Sequence, residues 1–208
     1  QRPQRLNAIN PALVRDLDAA LAAAARDDGV AAVILHGAGK AFCAGDDLKE
    51  FGAQSADEAA TREFIEAIQA ITRRIVAMDP VVIAAVHGWA VGGGLEWMLG
   101  CDLALMAEDA RFFFPEIELG LFVTGGASAL LPERVGLPRA KEMLLAGERY
   151  GAGDAHALGL VNRVLPGDEL MPAARALAAR IAGLPATARR NAKHVLNRAS
   201  REPLATAM

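Results

Sequence analysis

An α/β fold that gives way to an all-helical C-terminal part is what this sequence predicts, and three observations carry it. Two short apolar runs, residues 30–36 (VAAVILH) and 81–86 (VVIAAV), read as buried strands. Each leads into glycine-punctuated chain and then a segment with helical signals, the alternation of an α/β fold. Beyond Glu116 the chain is mostly helical in pattern.

Taken in order, Asn10-Pro11 supplies an N-cap and a proline at the first helical position, and Asp28-Gly29 a stop. One helix lies between them. The run 30–36 is apolar throughout, which predicts a strand covered on both faces. Gly37, Gly39 and Gly45 then punctuate a loop. Ser55 and Glu58 form a capping box. Ile65, Ile68, Ile71, Ile75 and Met78 continue one helical stripe until Asp79-Pro80 ends it. The strand 81–86 is followed by Gly92, Gly93 and Gly94, and then by LEWML as a helix. Residues 102–106 and 111–114 predict two more short strands. Helices are expected over 127–134 and 138–146, the second stopped by Gly147. A short helix ends at Gly159, 160–165 is strand-like, and 168–182 and 185–200 predict two closing helices. No linker, low-complexity segment or internal repeat divides the chain. A single domain over 1–208 is expected, α/β to about residue 165 and helical from 166 to 208.

Composition narrows the function. The 208 residues suffice to bury a substantial core, and 53% are hydrophobic although only 5% are aromatic, so alanine-lined helix packing is expected. A net charge of −3 provides no broad basic field for nucleic acid or an anionic membrane. Cys43 and Cys101 are the only cysteines, without a CxxC, which is the usage of a reducing compartment and predicts a cytoplasmic protein. No apolar run approaches the ~20 residues of a membrane span. The opening QRPQRLNAIN is not a signal peptide; it lacks methionine and reads as the inside of a loop, so a strand is expected to precede it.

Chemistry concentrates between His87 and Glu116. A strand, a glycine turn and a helix leave backbone N–H groups uncovered at the positive end of a helix, a site for an oxygen that becomes an anion. Glu96 lies three residues after Gly93, and helical side chains lean toward the N-terminus, so its carboxylate returns toward that site. The glycine run is equally what a tight strand-to-helix turn requires. A second glycine loop, CAGDDLKE, follows the first buried strand and can bring one more N–H to the same point. Asp46 and Asp47 there are candidate metal ligands, but no companion stands at ligand spacing and no metal site is predicted; a cap on a short helix is the plainer role. Glu116 follows the apolar FFFP, whereas Glu118 reads as exposed or ion-paired. Two partly desolvated glutamates beside an oxyanion site suit general acid and base work, and an ion pair with arginine is the structural alternative. Arg189, Arg190, Lys193, His194, Arg198 and Arg201 read as a solvated helix face. His36, His87 and His156 have no nucleophile partner and read as packing or surface.

Together AFCAGDDLKEF, HGWAVGGGLEWMLGCDLALMAEDARFFFPEIELGL and AHALGLVNRVL resemble the enoyl-CoA hydratase/isomerase (crotonase) superfamily, in order and at family spacing. The resemblance implies a crotonase-like spiral of repeated β-β-α units followed by C-terminal helices, trimers or dimers of trimers, and acyl-CoA thioester substrates with no separate cofactor. It implies an oxyanion hole from the N–H groups of Asp46 and Gly93, with Glu96 activating water and Glu116 handling the α-carbon proton. It also implies CoA contacts from Cys43, Ala44, Asp47, Leu48 and Lys49, with Arg5 and Lys49 toward phosphate. With both glutamates present, hydration of a trans-2-enoyl-CoA is the implied reaction. Double-bond isomerisation is the alternative on the same fold, and a non-catalytic CoA or RNA binder the alternative of another class. Two departures stand out. Val123-Thr124 replaces the usual Pro-Gly, and Asp46 occupies a position often held by a small residue; its carboxylate is expected to face away from the site. The family's last helices extend beyond residue 208.

Overall fold

The computed structural model describes residues 1–50 and 57–199. A short 3-10 turn, Pro3–Arg5, leads to helix α1, Pro11–Arg26, which Asn10 caps by accepting the Leu13 N–H at 2.9 Å. Strand β1, Ala32–His36, follows. Helix α2, Glu58–Ala77, starts at Asp57, whose carboxylate accepts from the Ala59 and Ala60 amides. The expected capping residue Ser55 lies outside the described residues. The buried stripe of α2 is Phe64, Ile68, Ile71 and Ile75, joined by Thr72.

From here strands come in pairs. Strand β2, Val81–Val86, is followed within three residues by β3, Trp89–Val91, and then by α3, Gly93–Gly100. Strand β4, Leu103–Ala107, is followed by β5, Arg111–Phe113, and after a loop by α4, Ala127–Val135. The chain continues as α5, Leu137–Ala146; β6, Tyr150–Gly151; α6, Ala152–Ala157; β7, Arg163–Leu165; α7, Gly167–Ala182; and α8, Ala186–Ala199. The strands β3 and β6 are too short for periodicity to reveal, and of the strand-like 160–165 only the last half pairs.

Two sheets result. The first is parallel, in the order β1-β2-β4-β7; the second is β3-β5-β6, with β3 parallel to β5. Cys43 extends the second sheet by a bridge to Ala90. Each of β1, β2 and β4 therefore steps from the first sheet into the second before its helix follows. This is the β-β-α turn of a spiral, repeated in backbone without being repeated in sequence. Val82–Val86 are fully buried at its centre. In contrast β1, read from its apolar run as covered on both faces, is only partly buried, because it forms the edge of the described sheet. Helix α7 packs across β1, β2 and β4.

The basic run near the C-terminus is only in part a solvated face: Arg198 is exposed, but Lys193 is not. Lys193 is buried, and its Nζ donates to the Ile75 and Pro80 carbonyls at 3.0 and 2.9 Å and pairs with Asp102 at 2.8 Å. Arg190 and His194 pair with Asp79. The end of α2 and the start of β2 offer carbonyls and carboxylates there, so the cations dock α8 onto the body of the fold. Arg201 lies outside the described residues.

Candidate active site

Two backbone amides are brought together by the stepping strands. Residues 43–46 run beside β3 on one side and the N-terminal loop on the other. Cys43 exchanges hydrogen bonds with Trp89 and Val91, while Ile9 donates to the Gly45 carbonyl and accepts from the Asp47 amide, both at 2.8 Å. In a parallel bridge of that kind the amide of the residue between, Asp46, points to the opposite side. Gly45 makes the bend with φ +82. Gly93 is the first residue of α3, where helix geometry leaves the N–H without an intrahelical acceptor. Among the described residues neither the Asp46 nor the Gly93 amide donates to another protein group.

Both glutamates face the same space. Asp46, Gly93, Glu96 and Glu116 line one cavity of about 150 Å³ with Phe64, Ile65, Ile68, Leu121, Phe122 and Thr124. Glu96 is 2% exposed, yet its partner is not an arginine. Its Oε2 accepts the Ala127 N–H at 2.8 Å, at the N-terminus of α4, with the amides of Thr124, Gly125 and Gly126 close by. Burial raises its pKa and those four amides oppose the rise. Glu116 has a buried Oε2 without a partner among the described residues. Burial pushes it up to about 7, its own amide opposes this, and the charges of Glu96 and Asp46 push it further. The environments thus differ as an acid and a base require: one carboxylate is held by four amides of a turn, the other only by its own amide, with one oxygen unpartnered among the described residues.

The Asp46 side chain does not face away. It lines the cavity, and its Oδ1 is buried with no partner among the described residues, 3.4 Å from where a Cβ on Gly93 would stand. Burial, and next the Glu96 charge, push its carboxyl up to about 6. The neighbouring Asp47 turns the other way to pair with Arg2 at 3.0 Å, and it caps the turn at Lys49 and Glu50. Its plain capping role is the one observed.

The other predicted contacts scatter along the loop. Cys43 is buried, its Sγ donates to the Asn7 carbonyl, and burial pushes the thiol up to about 12. The Ala44 amide donates to the Leu6 carbonyl. Leu48, Lys49 and Arg5 are exposed, as is Glu118. The ring nitrogens of His36 and His87 bond the Ala85 and Gly39 carbonyls, and His156 is exposed. Among the described residues no group of His, Cys, Asp and Glu has the arrangement to hold a metal ion, and no helix is long and apolar enough to cross a membrane.

Three positioning residues escape sequence reasoning. Arg2 ties Asp47, Glu50 and the Ala8 carbonyl together, so it braces the loop that carries Asp46. Asn7 bonds the Ala38 and Ala41 carbonyls. Thr72 donates to the Gly125 carbonyl at 2.5 Å and anchors the turn that holds Glu96. Thr72 alone leaves a trace, as a polar residue next to the isoleucine stripe.

Comparison with known proteins is consistent with this geometry. The family model described as enoyl-CoA hydratase/isomerase matches residues 1–208. The short-chain-enoyl-CoA hydratase of Clostridium acetobutylicum is 35% identical over 208 residues, covering 100% of this chain and 79% of that protein. The crotonyl-CoA hydratase of Syntrophomonas wolfei is 39% identical over 181 residues, 86% of this chain and 69% of its own. The crystal structure of an enoyl-CoA hydratase from Bacillus anthracis superposes with a TM-score of 0.95 at 34% identity, covering 100% of this chain and 80% of that one. With its stepped sheets, its paired glutamates and this match from end to end, the chain belongs to the enoyl-CoA hydratase/isomerase family.

Proposed function

We propose that the protein is an enoyl-CoA hydratase, adding water across the 2,3 double bond of a trans-2-enoyl-CoA thioester or removing it in reverse. The observation that carries this reading is convergence: two residues whose amides have no acceptor among the described residues, and two glutamates, one buried and one half-buried, border one cavity. The thioester oxygen accepts from the Asp46 and Gly93 N–H groups and gains charge as the β-carbon is attacked. One such donor is worth about 3–4 kcal/mol of barrier. Glu96, steadied by the α4 amides, orients water and takes its proton as the hydroxyl bonds to the β-carbon. Glu116, with its carboxyl near neutral pH, gives its proton to the α-carbon. Phe64, Ile65, Ile68, Leu121 and Phe122 offer an apolar bed for the acyl group.

The CoA portion lies along the 43–49 loop in this reading. Leu48 offers exposed apolar surface to the adenine, while Arg5 and Lys49 offer cations to the phosphates. Cys43, Ala44 and Asp47 set the course of the loop. CoA enters as part of the substrate, and no further cofactor has a part. The buried free thiols suit the cytoplasm. Exposed Leu184, Val195 and Leu196 on and beside α8 supply apolar surface for a homotrimer or a dimer of trimers.

Loss of the conjugated thioester absorbance of crotonyl-CoA and longer enoyl-CoAs tests the reaction. Glu96→Gln should lower hydration at least about a hundredfold. A flat trace across the series would exclude hydration. Turnover of a 3-enoyl-CoA that survives Glu96→Gln would move the assignment to isomerase.

A further inference from the structure

We propose that Asp46 works through its side chain as well as its amide: as a neutral carboxylic acid it donates a third hydrogen bond to the thioester oxygen. The inference rests on the enolate-forming reaction proposed above and deepens it. Its starting point is geometric. The Asp46 Oδ1 is buried, has no partner among the described residues, and lies at the corner of the cavity where α3 begins, beside Gly93. A polar atom left in such a place costs free energy unless something fills its bonding capacity. The group that reaches that corner in the reaction is the same oxygen that the Gly93 amide awaits.

Charge decides the form in which Asp46 takes part. The ionisable groups facing it are Glu96 on α3 and Glu116 beyond β5, and no lysine or arginine lines the described cavity. An ionised Asp46 would stand as a third negative charge in an apolar pocket and would repel the developing oxyanion. A protonated Asp46 does the reverse. Its O–H points a strong donor at the oxygen, and a carboxylic acid kept neutral in an apolar site can stabilise an enolate in this way. Because burial already favours the protonated form, the approach of negative charge strengthens that preference. The proton stays on Asp46, so no bond is broken there.

The test uses two variants and two readouts. Asp46→Asn keeps a neutral donor of similar shape, Asp46→Ala removes the donor, and both keep the backbone amide. The first readout is the pH dependence of kcat/KM with crotonyl-CoA. In the wild-type protein Asp46 and Glu116 must both hold a proton, so the alkaline limb should steepen toward about a hundredfold per pH unit. In Asp46→Asn, Glu116 alone sets the limb, at about tenfold per unit. Asp46→Ala should lose about tenfold to a hundredfold on the acid side of that limb. The second readout is binding of acetoacetyl-CoA, whose enolate carries charge on the same oxygen without any hydration. Asp46→Ala should weaken enolate binding at least about tenfold, while Asp46→Asn stays within about threefold of wild type.

A protein that binds this enolate as expected but hydrates no enoyl-CoA would retain the role of Asp46 while excluding the hydratase reading. Asp46→Ala that equals or exceeds wild type in both assays at every pH would overturn the inference, and so would failure of the wild type to bind the enolate. In the first case the carboxylate would only oppose the charge it sits beside.

Discussion

A Cβ placed on Gly92 would fall 2.5 Å from Oε1 of Glu116, so the turn that opens α3 and the acid that faces it fit together only without a side chain there. Gly92 also adopts φ +49 and ψ −123, a conformation costly for any other residue. Gly92→Ala should therefore lower kcat/KM by about tenfold or more through displacement of Glu116. It should also destabilise the fold by about 1–3 kcal/mol. Steady-state kinetics and urea unfolding read the two effects separately.

The raised acids make stability depend on pH in a definite direction. Asp46 rises from 3.8 to about 6 and Glu116 from 4.5 to about 7, so between these limits the folded chain keeps protons that the unfolded chain has released. Their contribution is complete below about pH 4 and is lost as pH rises through about 7. Asp47 and Asp79, both lowered, act oppositely and only at more acid pH. The melting temperature from pH 5 to pH 8 should fall by roughly 10 °C through Asp46 and Glu116, and the raised carboxyls of Glu96 and Asp102 act in the same direction. Glu116→Gln should flatten that decline. A melting curve series across this range checks both.

Buried Lys193 pairs with the partly buried Asp102, so removing one partner strands the other. Lys193→Met should cost about 3–5 kcal/mol in denaturant unfolding. The double variant with Asp102→Asn should be milder than the single one, because no isolated charge remains. Neither residue lines the cavity, so kcat of the folded fraction should change little.

Thr72 acts on the site at one remove. Thr72→Val keeps the shape and removes the donor, leaving the Gly125 carbonyl unpaired at a cost of about 1–3 kcal/mol. With that turn loosened, the amides on Glu96 shift, and kcat should fall about threefold to tenfold with KM nearly constant. Calorimetry and steady-state kinetics on the same preparation distinguish the two losses.

What could be read in advance follows from the range of each interaction. The glycine turn, the strand before it and the return of Glu96 toward Gly93 are set by residues close in sequence, and they were legible. Glu116 was legible as an acid after an apolar run. The motif resemblance linked it to Glu96. Thr72 was not, because its partner is 53 residues away. Lys193 was misread for the same reason: its acceptors lie 113 and 118 residues upstream, and a basic helix carries no mark of what it will meet. The inward turn of Asp46 goes with its bridge to Ile9, where successive side chains alternate sides, so the neighbouring Asp47 takes the opposite direction. The strand β3 was too short to announce itself. It pairs because β2 delivers it beside Cys43.

Glu96 is held by peptide N–H groups of the 124–127 turn, and such groups neither titrate nor move off into solvent as a lysine can. Acid, base or salt can thus alter the occupancy of a proton on Glu96 without releasing the hand that aims it. Water poised on that carboxylate keeps its line of attack in buffers where a site built on an ion pair would lose its aim.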